Sequence, residues 1–202
     1  MSTVRFKEVE DALLHLDYET AHIDMIEDPE KREAVVDATK TLLTTAREND
    51  VAIVHSLMDT ATDPPAINKG TEKWQSIVKP LLAANPDMAA EYSDFAMTDP
   101  GNDRESTFYR NPGHTSALGT EGVLPLLRDR LDIKHLVISG ITTSGPVLGT
   151  TMHATNLDFV VTIVEDACYD PHEQVYRALI DSVLQTFNWV ATVEEATRYV
   201  SQ

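Results

Sequence analysis

The sequence predicts an α/β fold, a six-stranded parallel sheet covered by helices on both faces. Three observations predict it. Six short apolar runs recur along the 202 residues. The runs are continuous rather than alternating, as expected of strands buried on both faces. Segments with helical spacing separate them, which implies right-handed crossovers between parallel strands.

In chain order, Ala12-Leu13-Leu14-His15-Leu16 is the first strand, closed by Asp17. A helical stripe follows at Val35, Thr39, Leu42 and Ala46, with spacings of four, three and four. Val51-Ala52-Ile53-Val54 is the second strand. Thr107-Phe108-Tyr109 is the third, preceded by the turn signal Asp99-Pro100-Gly101-Asn102. His135 to Gly140, Phe159 to Val164 and Trp189 to Val193 are the last three. Between the fifth and sixth, Val175, Leu179, Val183 and Phe187 recur every four residues and predict one buried helix face.

Residues 59–104 break this rhythm. They are rich in Pro, Asp and Asn, with helical fragments at Lys73 to Ala83 and Pro86 to Tyr92. The segment reads as an excursion over the strand ends, where open α/β sheets place their ligands, or as a structural or oligomer-forming insert.

Composition narrows the function. At 42% hydrophobic and 24% charged, the chain has the make-up of a single globular domain over residues 1–202. A formal net charge of −17, with 16 scattered Lys and Arg residues, disfavours nucleic-acid or anionic-membrane partners. The single cysteine, Cys168, excludes an intrachain disulfide. The segment Met1 to Phe6 lacks an apolar signal core, and no stretch approaches the roughly 18 apolar residues of a membrane span. A cytoplasmic location is expected.

Three positions can carry chemistry. Asp17 ends a buried strand at the sheet's carboxyl edge, where desolvation raises a carboxyl pKa and suits it to proton transfer; equally, an Asp there can bond backbone amides of the next turn. Gly140-Ile141-Thr142-Thr143-Ser144-Gly145-Pro146-Val147 is a compact small-residue loop entering a helix, either an anion-binding helix start or a plain turn. Arg110 ends the third strand before Asn111-Pro112-Gly113-His114, placed to clamp a carboxylate or to serve as a surface charge. Trp74 lines a pocket or packs, and His15 reads as a core residue. No dinucleotide or phosphate-loop motif is present, and the seven histidines show no metal-ligand spacing. No cofactor and no metal are expected.

Together these segments resemble the isochorismatase-like (cysteine) hydrolases. Leu13-Leu14-His15-Leu16-Asp17-Tyr18-Glu19 resembles the family's first strand with its catalytic Asp. Leu136 to Val147 resembles its strand and following nucleophile loop, and Thr151-Met152-His153-Ala154 the helix behind it. Val164-Glu165-Asp166-Ala167-Cys168 resembles its Asp-Ala-Cys after the fifth strand, whose cysteine is not the nucleophile. The resemblance implies the strand order 3-2-1-4-5-6, a cis peptide at Ile141–Thr142 and a homo-oligomer. It also implies a pocket between Asp17, Arg110 and residues 141–146, capped by the insert.

The family's amidases use an Asp, Lys and Cys triad. Asp17 matches the Asp, Arg110 is the nearest cation to the Lys position, and the Cys position holds Pro146. Proline supplies neither a thiol nor a backbone N–H. A tetrahedral intermediate would lose its attacking atom and an oxyanion donor worth roughly 2.7–4 kcal/mol. The family's isochorismatases dispense with the thiol and use the Asp alone, but Met58 and Thr142 stand where they keep Gln and Tyr. The Asp-x-His of its nicotinamidases is also missing from His55 to Ala61. The expected substrate-binding set is Tyr18, Glu19, Met58, Trp74, His114, Ile141, Thr142 and Pro146. Two readings follow: an enzyme using Asp17 as general acid or base on a small carboxylated substrate, or a pseudoenzyme binding a ligand or protein partner through the inherited pocket.

Overall fold

A computed structural model describes residues 11–200; the segment Met1 to Phe6 lies outside them. Six strands, β1 (Asp11–Leu16), β2 (Ala52–Met58), β3 (Glu105–Arg110), β4 (His135–Ile141), β5 (Val160–Tyr169) and β6 (Trp189–Ala191), form one sheet in the order β3-β2-β1-β4-β5-β6. Every pairing is parallel. Both the fold class and the strand order match the sequence prediction.

Strand side chains alternate between faces, and both faces of the central strands are buried. Leu14 and Leu16 of β1 join Val54 and Ile138 in a core that includes Leu127, Ile180 and Leu184. Leu13, Ile53 and Val137 face the other way, onto Leu42, Leu43 and Ala46 of helix α1 (Pro29–Glu48). Continuous apolar runs are the direct result. The α1 stripe Val35, Thr39, Leu42 and Ala46 is buried as predicted. The helix begins where Asp28 accepts the Glu30 and Lys31 amides and Pro29 presets the first turn.

Two expectations change. The stripe Val175, Leu179, Val183 and Phe187 does not form a buried face: Val183 is 46% exposed and Phe187 70%. At 3.6 residues per turn, a strict four-residue repeat drifts about 40° per step and winds off any fixed face. Leu179, Ile180 and Leu184 make the buried contact instead. In addition, β5 continues through Glu165-Asp166-Ala167-Cys168 rather than ending before it. A register shift lets it do so, with Ile138 opposite Ile163 but Gly140 opposite Cys168.

The insert carries a helical run from Thr71 to Ala84 and a short turn at Pro86–Ala89. It returns to the sheet edge through backbone bonds from Thr20 to Ala90 (2.9 Å) and from Tyr92 to Tyr18 (2.9 Å). Among the described residues no helix is long and apolar enough to cross a membrane.

Candidate functional site

Asp17 leaves β1 in the left-handed region (φ 54°), which Asp enters more readily than most residues other than glycine. Its amide donates to the Ser56 carbonyl at 2.8 Å. The carboxylate is 3% exposed, and its Oδ2 accepts from Nη2 of Arg110. Arg110, 4% exposed at the end of β3, also donates to the His114 carbonyl. Asp17 Oδ1 has no hydrogen-bond partner. Burial pushes the Asp17 carboxyl up, Glu19 adds repulsion, and the nearby Arg110 only partly offsets them; the result is about 7. The fold thus brings together the two residues expected to act together.

The helix start after β4 is differently disposed. The Ile141–Thr142 peptide is cis, as the resemblance implied. The Thr142 carbonyl accepts the amides of Gly145 (3.1 Å) and Val147 (3.4 Å). The Ser144 amide donates to Asp170 Oδ2 at 2.9 Å, and buried Pro146 has none to offer. From Ser144 to Val147, every amide is therefore engaged within the protein or missing. Cys168 is buried, and burial pushes its thiol up to about 12, away from a reactive thiolate.

An adjoining cavity of about 450 Å³ opens between the β1 and β2 ends and the insert. Glu19, His22 and Met58 line it on the sheet side, facing Lys73, Trp74 and Leu82 from the insert. Of the predicted set, Glu19, Met58 and Trp74 therefore share one cavity. Asp17, Tyr18, Arg110, His114, Ile141, Thr142 and Pro146 do not line it. Tyr18 turns into the core, its hydroxyl donating to the Ala167 carbonyl. His114 borders a separate shallow depression with Asp59 and Tyr109.

Glu19 is held on both oxygens, by the Met58 amide and by His22 Nδ1 at 2.8 Å. Burial opposes charge on both partners, but their hydrogen bond and mutual attraction outweigh it. The Glu19 carboxyl is lowered and the His22 imidazole raised from its ordinary 6.5. A raised imidazole stabilises the fold fully below 6.5 and loses that contribution as pH climbs through its folded value. Hence the stability lost in His22→Gln is expected to be about 1.5–3 kcal/mol in mild acid. The loss should shrink toward alkaline pH in urea denaturation. A loss independent of pH would contradict the charged pair.

Sequence reading missed a second polar group. His15 and His55, direct cross-strand neighbours, both face the α1 side. His55 Nδ1 lies 2.6 Å from Glu91 of the insert and Nε2 2.8 Å from Glu105, which Arg47 holds at 2.7 Å. Burial pushes both carboxyls up, yet the neighbouring histidines, and at Glu105 also Arg47, bring each down to about 2. Burial takes the His15 imidazole down to about 4. The only sequence signal was a histidine inside the first apolar run and another directly after the second.

The comparisons with known proteins follow the geometry. The isochorismatase domain model matches residues 11–195. Among solved structures, an isochorismatase family protein from Burkholderia thailandensis superposes with a TM-score of 0.78 at 18% identity, covering 96% of each chain. One from Desulfovibrio vulgaris gives 0.73 at 17%, covering 96% of this chain and 100% of that one. An N-carbamoylsarcosine amidase from Thermoplasma acidophilum gives 0.68 at 14%, over 92% and 97%. No curated protein matches by sequence. With the model spanning nearly the whole described chain and the same sheet underneath it, the protein belongs to the isochorismatase family.

Proposed function

We propose that the chain binds a small carboxylated molecule non-covalently in the cavity between Glu19–His22 and the insert, and performs no acyl transfer. One observation carries this reading: the cavity is lined beside the Asp17–Arg110 pair rather than by it. A general acid must come within hydrogen-bond reach of its substrate, and Asp17 is turned onto Arg110 beneath the surface. The engaged amides from Ser144 to Val147 likewise leave no donors there for a developing oxyanion. Apolar walls with a few polar groups are typical of small-molecule pockets, and Lys73 supplies positive charge for a ligand carboxylate, the His22 charge being balanced by Glu19.

A second reading keeps Asp17 as a general acid or base acting without a covalent intermediate. Its free Oδ1 and a carboxyl near neutrality favour it. Thermal-shift screening of small carboxylates, followed by NMR of each stabilising compound with the protein, separates the two. Binding alone predicts a stabilising compound that persists unchanged. Its affinity should fall at least about tenfold, or 1.4 kcal/mol, in Trp74→Ala and survive in Asp17→Asn. Consumption of the compound that stops in Asp17→Asn would replace the binding reading with the catalytic one.

A further inference from the structure

We propose that His15, His55 and Glu91 form a structural site for one divalent transition-metal ion, best matched by Zn²⁺, that pins the insert to the sheet. The site is separate from the cavity and independent of its ligand. One ligand atom from each residue lies within 4.8 Å of the others. Zinc ligands at about 2.0–2.2 Å in a tetrahedron stand about 3.4 Å apart. His15 Nε2 is already 3.3 Å from Glu91 Oε1, and His55 Nδ1, at 2.6 Å, needs to withdraw by less than an ångström-scale adjustment. The metal would take the place of the proton between His55 Nδ1 and Glu91, which leaves to solvent.

Three further features fit a metal. The far nitrogen of His55 is bonded to Glu105, itself braced by Arg47, the outer support that orients a metal-bound imidazole. Both ring nitrogens of His15 are buried without a hydrogen-bond partner. Such orphaned polar groups are costly and call for an explanation, and coordination through Nε2 supplies a partner for one. Finally, Tyr18 stacks on the His15 ring at 4.0 Å and Phe95 meets it edge-on at 5.4 Å, which shields the cluster from water. Two imidazoles and a carboxylate are a zinc donor set, leaving one position for water or the second Glu91 oxygen. The ligands come from three distant segments, so their linear spacing gave no hint of a metal.

The test uses the full chain, stripped with EDTA, loaded with ZnCl₂, desalted and assayed for bound metal. A single retained equivalent and a raised Tm are expected. His15→Phe, which preserves the ring stack, and Glu91→Gln should retain none while keeping the native circular dichroism. In parallel, Co²⁺ added to the unmodified chain should develop the intense visible absorption of tetrahedral nitrogen–oxygen coordination, a readout that stands even if the variants misfold. Failure to retain zinc, equal retention by folded His15→Phe, or only the weak spectrum of octahedral Co²⁺ would overturn the proposal.

Discussion

Replacing Arg110 by Met is expected to destabilise the protein by about 3–5 kcal/mol at alkaline pH, the usual cost of stranding one member of a buried ion pair. The pair is almost wholly withdrawn from water, and Arg110 is the group that bonds Asp17 Oδ2. The pH dependence has a definite sign. The folded Asp17 carboxyl, at about 7, lies above its ordinary 3.8, so between these values the native state binds more protons than the unfolded state. Asp17 therefore stabilises the fold least above 7. Removing Arg110 lifts the folded value further and extends that loss to higher pH. In acid the carboxyl is protonated with or without Arg110, and the deficit falls to the lost bond to the His114 carbonyl and lost packing. Urea denaturation of Arg110→Met, Asp17→Asn and the double variant, in acid and in alkali, measures this. The double variant should recover much of the loss, because no charge is left stranded. A deficit under about 1 kcal/mol in alkali, typical of an exposed pair, would show that the contact does not hold the sheet edge.

Gly140→Ala is expected to cost at least about 3 kcal/mol, the upper end of ordinary overpacking. A Cβ there would stand 2.6 Å from the Leu16 carbonyl oxygen and 2.7 Å from the Leu16 Cβ. A carbonyl fixed in a sheet cannot rotate aside as a long side chain can. Relief therefore requires β1 and β4 to part at Leu16, the residue before Asp17. The same substitution should disturb the Asp17–Arg110 contact and weaken the pH-dependent difference described for Arg110→Met. Gly119→Ala is the control, because nothing lies within 4 Å of its added Cβ. Thermal midpoints of the two variants decide the matter, and indistinguishable values would mean that the β1–β4 contact yields more than this packing allows.

The sequence by itself determined a good deal. Continuous apolar runs made the central strands β1, β2, β4 and β5 plain, because burial on both faces leaves little polar alternation to hide them. The edge strands β3 and β6, partly exposed, were marked more faintly. The α1 stripe was legible because its spacings of four and three track 3.6 residues per turn. That position 146 offers no backbone donor was legible directly, since proline's missing N–H is a property of the residue and not of its setting. Asp17 and Arg110 were legible as strand ends, and the carboxyl ends of all strands in a parallel sheet share one edge, even with β2 lying between β1 and β3.

Only the tertiary structure decided the rest. That Arg110 bonds Asp17, and that the cavity lies beside the pair with Lys73, Trp74 and His22 around it, depends on how an irregular insert crosses the strand ends. The union of His15, His55 and Glu91 depends on strand register, since a one-residue slip would turn either histidine to the opposite face. Local sequence sets which residues form a strand; which side chains meet across strands is set by register and packing among segments far apart in the chain.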